Sequence, residues 1–364
     1  MRPLFISATK QDTGKTSTTI GLLEALRSLG RDVGYMKPVG QHYVDYRGHH
    51  VDEDVVVLRE AFGLDDNPKD MNPVAIRRGF TADYIFHRDP EPLQRQVAEA
   101  FGRLHAAHEV VLIEGTGHAG VGACLDLSNA RVAQLLRAKV VIVTDGGVGR
   151  AIDEVALSLC LFGAHQVPVM GVLLNKVWPE KLDRIRSTAG RGLEHRDTRL
   201  LGTIPYHPQL GYPRISQIVD QLDGHVLCNA GNLANRVEHT VVAAMRAQDV
   251  APYIRRNTLV VTPGDRMDNI LLSLGGGDIP VEGSVSGLVL TGGFDLPGDV
   301  VELAESSGVP VILSGKDTYS VASRLRDARF KILPEDSEKV AAAKGLIRDN
   351  LDVVDLLDQL SRDP

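Results

Sequence analysis

The stretch Ser7-Ala8-Thr9-Lys10-Gln11-Asp12-Thr13-Gly14-Lys15-Thr16 decides the fold. Before it, the apolar run 3–8 (PLFISA) reads as a short buried strand. After it, 14–29 carries Ile20, Leu22, Leu23, Leu26 and Leu29 at helical spacing, with Gly30 as the stop signal. A strand that feeds a turn onto a helix N-terminus gathers backbone N–H groups and the positive end of the helix dipole at one point. Polyphosphates bind at such points. The closing Gly-Lys-Thr suits that use, because Gly14 lets the backbone approach, Lys15 reaches the β and γ phosphates, and the Thr16 hydroxyl ligates Mg²⁺. Thr13 and Ser17 flank these residues in the same nucleotide-binding loop. Thr9 stands where the ordinary motif has its first glycine.

Outward from the loop, strand signals recur at 33–37, 110–114, 139–144, 169–174 and 200–204, with helical stretches at 52–62, 92–107, 130–137, 152–162 and 179–188. Near-continuous apolar strands alternating with helices predict an α/β, doubly wound, mostly parallel sheet covered on both faces. The segment 206–214 (YHPQLGYPR) reads as a linker. A second, smaller α/β unit follows, with helices expected at 215–222, 233–247, 268–274, 299–306 and 318–328. Its strands are expected at 225–228, 258–262, 287–290 and 309–313. A closing helix over 335–360 is expected to pack on its own domain rather than form a coiled-coil seam. The expected domains are 1–210, 211–330 and a helical tail, 331–364.

Composition narrows the function classes. The 364 residues hold 40 basic and 47 acidic side chains, a net charge of −7, with 43% hydrophobic and 24% charged residues, an ordinary globular balance. Disorder and a general nucleic-acid coat are disfavoured. Cys124, Cys160 and Cys228 are too scattered for a disulfide framework or a zinc site, which predicts a reducing, cytoplasmic setting. With no apolar run of about 18 residues and no signal-peptide pattern at the start, neither membrane nor nucleic acid is expected as a partner. Glycine, 36 of 364, is the outlier, and it clusters after the strands of both units.

Other residues point at the same crevice. Lys37 ends the second strand, where open α/β sheets bind ligands. In Asp52-Glu53-Asp54 the acids either cap the next helix or, through Asp54, ligate Mg²⁺. Glu114 follows an apolar strand run, at the place of a Walker B carboxylate or as a strand-end surface acid, and His118 reads as a polar loop residue. In the second unit Asp265 and Arg266 either cap a helix and pair with each other or line a crevice. Thr291-Gly292-Gly293 forms either a tight turn or an anion nest.

The loop ending Gly14-Lys15-Thr16, Lys37-Pro38-Val39, Asp54, Glu114-Gly115-Thr116-Gly117, Asn175 and Gly202-Thr203-Ile204-Pro205 together resemble the dethiobiotin synthetase-like branch of P-loop ATPases, which includes cobyrinic acid a,c-diamide synthase. The resemblance implies ATP and Mg²⁺ as cofactors. Thr16, Asp54 and Glu114 would share the metal, Asn175 and Pro205 would frame the adenine, and Lys15 and Lys37 would act on the transferred phosphate. Lys10 sits where dimeric relatives with deviant loops carry a lysine that reaches across a dimer interface; a solvated loop lysine is the other reading. Thr262-Pro263-Gly264-Asp265-Arg266, Leu290-Thr291-Gly292-Gly293 and Asp317-Thr318-Tyr319 resemble a DRTGG domain, with Met267-Asp268-Asn269 departing from the literal string. This order of domains is similar to the N-terminal regulatory half of long-form phosphate acetyltransferases. The acetyl-transferring domain there follows the DRTGG unit, so acetyl transfer is not expected of these residues. The resemblance implies an ATP-binding regulator or sensor, homodimeric, with a small-molecule effector at the DRTGG unit and a metabolic enzyme as partner. The competing reading is an ATP-dependent ligase working through an acyl or carbamoyl phosphate.

Overall fold

The computed structural model describes residues 1–41, 43–276, 279 and 283–362. The chain divides into two compact units, one made of Met1–His207 with the tail from Ile332 onward, the other of Pro208–Lys331.

In the first unit the strands are β1 (Leu4–Ala8), β2 (Val33–Met36), β3 (Val39–Gly40), β4 (Tyr43–Tyr46), β5 (His49–Asp52), β6 (Val74–Ala75), β7 (Val110–His118), β8 (Lys139–Asp145), β9 (Val169–Val177) and β10 (Leu200–Pro205). The helices are α1 (Lys15–Ser28), α2 (Glu53–Phe62), α3 (Pro68–Met71), α4 (Phe80–Phe86), α5 (Pro90–Ala107), α6 (Asn129–Leu135), α7 (Gly149–Ala164) and α8 (Leu182–Glu194). Six strands form one parallel sheet in the order β10-β9-β8-β1-β7-β2. The apolar runs read from the sequence are buried on both sides: Phe5, Ile113 and Ile142 join a core with Val97 and Leu104 of α5 and Val155 and Phe162 of α7. From β1 the chain passes outward to β2, while β8 takes the opposite side, so the strand order reverses beside β1. The loop after β1 lies at that switch point, where open sheets leave a crevice.

Thr9 explains its own departure from the glycine motif. Its N–H donates to the Val143 carbonyl, and its buried hydroxyl stands 2.9 Å from the Thr144 hydroxyl and donates to Glu154 Oε2 at 2.9 Å. The side chain therefore fastens the loop to β8 and α7.

The second unit begins with α9 (Ile215–Leu222), then β11 (His225–Cys228), β12 (His239–Val242), α10 (Ala247–Val250), β13 (Thr258–Pro263), α11 (Met267–Ser273), β14 (Val285–Thr291), α12 (Gly298–Ser307), β15 (Val311–Ser314) and α13 (Thr318–Asp327). Its sheet runs β11-β15-β14-β13-β12, parallel except at β11. Val260 faces one core with Ile270 and Leu288, whereas Leu259 and Val261 face the other with Ile218 and Val321. The helix expected over 233–247 is absent. Leu233, Val237 and Val241 imitate a helical face at four-residue spacing, but the β-branched run Thr240-Val241-Val242 pairs with Leu259, Val260 and Val261 as strand β12.

The closing helix is two, α14 (Ser337–Asn350) and α15 (Val353–Ser361). Leu351 is extended and bridges to Gly202, and Asp352 starts the new helix by accepting from the Asp355 N–H at 2.9 Å. The tail packs on the first unit. Ile347 of α14 lies so close to Gly21 of α1 that a Cβ there would come within 2.2 Å of it, Lys344 pairs with Glu24 at 2.9 Å, and Arg199 with Asp355 at 2.9 Å.

One clasp ties α5 to β2 and to the segment after α2. The His108 ring lies against Gly34, with Nδ1 3.0 Å from Asp32 and Nε2 2.9 Å from Asp66. Burial alone would lower the imidazole pKa, but hydrogen bonds to Asp66 and Asp32 outweigh it and the value is raised. The stabilisation is therefore complete below the unfolded-state value of about 6.5 and is lost as the pH rises through the higher folded-state value. Urea denaturation should show lower stability at pH 9 than at pH 6, with a shallower dependence in His108→Gln; an unchanged dependence contradicts the clasp. Thr9→Gly, which restores the motif glycine, removes two hydrogen bonds and should cost about 1–2 kcal/mol in the same assay. Equal stability would show that Thr9 fastens nothing.

Candidate functional site

The first unit gathers its buried charge at the carboxyl ends of β1, β2 and β7. Lys37 directly follows β2, and its backbone is locked: the amide donates to Met71 at 2.7 Å and the carbonyl accepts from the Asn72 side chain at 2.7 Å. Asp52 caps α2, its Oδ1 accepting from the Asp54 N–H at 3.1 Å and its Oδ2 from the Gln41 N–H at 3.1 Å. The capping role falls to Asp52, which leaves Asp54 facing Lys37. The Lys37 ammonium pairs with Asp52 Oδ1 at 3.0 Å and with Asp54 Oδ2. All three side chains are almost wholly buried.

Glu114, on β7, accepts from the Thr16 hydroxyl at 2.9 Å on one oxygen and from the Tyr35 hydroxyl at 3.2 Å on the other. Burial and the nearby Asp54 push its carboxyl pKa up, against the pull of Lys37, Lys15 and Thr16. Burial pulls the Lys15 ammonium down and Lys37 adds to this, while Glu114, Asp54 and Asp12 oppose it. Lys37 is held above its ordinary value: burial opposes this, and Asp54, Glu114 and Asp52 outweigh burial. The Tyr35 phenol is raised well above its usual value, by burial first and by Glu114 next. Such mutually shifted groups at a strand-end crevice are a mark of functional sites.

Gly14 precedes α1 with φ +90°, a conformation that favours glycine, and a Cβ there would lie 2.2 Å from Asn175 Nδ2. Asn175, on β9, donates to the Thr13 carbonyl at 2.7 Å and so holds the loop from the far side. The Thr13 hydroxyl is buried with no hydrogen-bond partner among the described residues. Ser17 lies in the first turn of α1. Pro205 ends β10 in register with Val177, and Tyr206 beyond it meets Trp178 with ring centroids 4.9 Å apart. Lys10 pairs with Asp145 of the same chain at 2.7 Å, both about one-third exposed. Such a pair contributes little energy and releases easily. His118 accepts from the Gly120 N–H at 3.1 Å, a loop contact.

Among the described residues no three His, Cys, Asp or Glu side chains converge as a metal-holding group. The oxygens present still suit Mg²⁺, which takes one or two carboxylates plus a hydroxyl and keeps several waters. Thr16 already touches Glu114, and Asp54 and Glu114 repel each other in a buried setting that a divalent cation would relieve. The sequence marks Asp52 as a helix cap, not as a partner of Lys37, and gives Tyr35 no role of its own. The double acid around Glu53 was the available signal for Asp52, whereas nothing local marks Tyr35, whose partner is 79 residues away.

In the second unit Arg266 pairs with Asp268 at 3.0 Å, not with Asp265, and donates to the Ala244 and Met245 carbonyls at 3.0 and 2.7 Å. It thus staples the end of β12 to α11. The Gly292 and Gly293 amides donate to the Lys316 and Ser314 carbonyls at 2.9 and 3.2 Å. Both amides are thus taken up by the segment that ends and follows β15, so the open anion nest does not hold. Asp317 caps α13 through the Ser320 N–H at 3.0 Å.

The family model described as AAA domain matches residues 2–214, and the DRTGG domain model matches 217–328. A phosphate acetyltransferase of Nitratidesulfovibrio vulgaris is 29% identical over 97% of this chain and 51% of its own length. The chain thus spans about half the length of the curated phosphate acetyltransferases that it matches. An ATP-dependent dethiobiotin synthetase of Nitrosopumilus maritimus is 26% identical over 60% of the chain and 95% of its own. A solved cobyrinic acid a,c-diamide synthase from Mycobacterium smegmatis, with bound ADP and magnesium, matches 57% of this chain and 87% of its own at 16% identity and a TM-score of 0.37. Among the described residues no helix is long and apolar enough to cross a membrane. By its P-loop unit the chain belongs to the AAA-domain family, with a DRTGG domain following in the same chain.

Proposed function

We propose that the first unit binds Mg-ATP and that the chain is a nucleotide-responsive regulator of metabolism. The observation that carries this reading is the buried set Lys15, Lys37, Asp52, Asp54 and Glu114 at the mouth of a Gly14-Lys15-Thr16 loop. The loop amides and Lys15 would take the β and γ phosphates, with Thr13 and Ser17 beside them. Thr16, Asp54 and Glu114 would hold Mg²⁺, which supplies charge neutralisation at the transferring phosphate. Lys37 would stabilise that phosphate from the β2 side, and Asn175 and Pro205 would frame the base. Lys10, released from Asp145, would reach the phosphates of a second copy in a homodimer. The DRTGG unit would receive a small-molecule effector and report it to a partner enzyme. The match to a phosphate acetyltransferase over 97% of this chain but only 51% of that enzyme supports a role attached to a larger metabolic enzyme rather than its whole activity.

The second reading is an ATP-dependent ligase. The dethiobiotin synthetase match favours it, since it spans 95% of that enzyme, and Lys37 would then hold a carboxylated substrate. Diaminopelargonate and bicarbonate together should leave ADP release unchanged if the chain regulates; a stimulated burst of ADP would establish the ligase instead.

ATP binding itself is measured through Trp178, the single tryptophan, half-exposed three residues past Asn175. Titration with Mg-ATP should change its emission. Lys15→Ala removes charge-assisted hydrogen bonds worth roughly 1.5–3 kcal/mol each, and affinity should fall about 100-fold. Retained affinity in Lys15→Ala would place the nucleotide elsewhere.

A further inference from the structure

Lys37 is the most heavily committed side chain of the site, 6% exposed and bonded to two carboxylates at once. The two are not equivalent. Asp52 is fixed by its own duties, with Oδ1 accepting from the Asp54 N–H in α2 and Oδ2 from the Gln41 N–H just after β3. Asp54 lies in the first turn of α2, beyond the cap, and is the carboxylate read above as a metal ligand. An ammonium ion and a divalent cation cannot share one face of a buried carboxylate, because at that range and in that medium their repulsion is large. Lys15 adds a second cation within electrostatic reach of Lys37.

We infer that Lys37 is the resident counter-cation of the site: it occupies Asp54 in the nucleotide-free protein and yields it to magnesium only when a nucleotide's terminal phosphate arrives to take the ammonium. Asp52 is the pivot that Lys37 keeps while it turns from Asp54 toward the phosphate. Metal and nucleotide then enter as one event, and the same movement delivers a cation to the transferring group. No bond is made or broken in this exchange. The inference rests on the Mg-ATP reading and adds to it the reason why the metal does not bind alone.

The test is Mn²⁺ binding to the full chain, followed by the electron paramagnetic resonance signal of the free ion. Without nucleotide the wild type should bind Mn²⁺ weakly, and Lys37→Met should bind it at least about tenfold more tightly. Lys37→Arg, which keeps the charge, should stay as weak as wild type. A role confined to folding would not raise metal affinity above that of the wild type. With a non-hydrolysable ATP analogue the wild type should bind Mn²⁺ tightly.

A second readout needs no loss of the charge. The lysine side-chain ¹⁵N signal of residue 37, assigned by its absence in Lys37→Arg, should ignore Mg²⁺ alone and move when Mg²⁺ and the analogue are added together. Equal Mn²⁺ affinity in Lys37→Met and wild type would overturn the inference, as would a shift caused by Mg²⁺ alone. If Lys37→Met does not fold, the ¹⁵N measurement decides. Failure of the wild type to bind the analogue would overturn the Mg-ATP reading itself, and the two failures are thereby told apart.

Discussion

Five charged side chains lie buried at one end of a parallel sheet, and their mutual neutralisation is the constraint on which the rest of the first unit depends. A charge taken out of water costs several kcal/mol unless partners compensate it. Lys37 is compensated by Asp52 and Asp54, and Glu114 by hydroxyls from Thr16 and Tyr35 with Lys15 and Lys37 nearby. These groups come from four places in the chain: the first turn of α1 (Lys15, Thr16), β2 and the residue after it (Tyr35, Lys37), the start of α2 (Asp52, Asp54) and β7 (Glu114). The sheet order brings those elements together, with β7 between β1 and β2. Stability alone does not account for such an arrangement, since well-packed apolar residues would cost less. The proposed ligand, a polyphosphate with a divalent cation, would give these groups a purpose.

Most of the sheet was legible in the sequence because its strands are buried on both faces and read as apolar runs. So was the phosphate loop, because Gly14, Lys15 and Thr16 are contiguous. Lys37, Asp54 and Glu114 were legible by their positions at strand ends and a helix start. What stayed hidden were contacts over long sequence distance. Thr9 looked like a lost glycine, and its reason lies in Thr144 and Glu154, 135 and 145 residues on. Tyr35 looked like one more apolar strand residue. Strand β12 was hidden for a different reason: Leu233, Val237 and Val241 satisfy a helical period, and only pairing with β13 reveals the strand. The tail reads as one helix over 335–360, whereas Leu351 leaves the helical path to bridge Gly202, a contact that nothing local in the sequence marks.

In the second unit, residues that a motif places side by side have separate tasks. Arg266 holds the end of β12 through two carbonyls, Asp317 caps α13, and the glycine pair bonds through its amides to the Ser314 and Lys316 carbonyls at and just past the end of β15. These are scaffold roles, and they leave the three loops at the ends of β13, β14 and β15 firmly shaped. The Phe294 side chain, against Gly264 and Gly292 and half-exposed, forms part of that end of the unit.

The central claim is that the buried charge of the first unit exists to hold a magnesium-bound nucleotide. A crystal structure of the full chain with Mg²⁺ and a non-hydrolysable ATP analogue tests it most directly. The account predicts terminal phosphates on the amides of residues 13–17 and Lys15, with the metal at Thr16 in place of the Thr16 hydrogen bond to Glu114. An analogue bound away from a loop that keeps this hydrogen bond would contradict it.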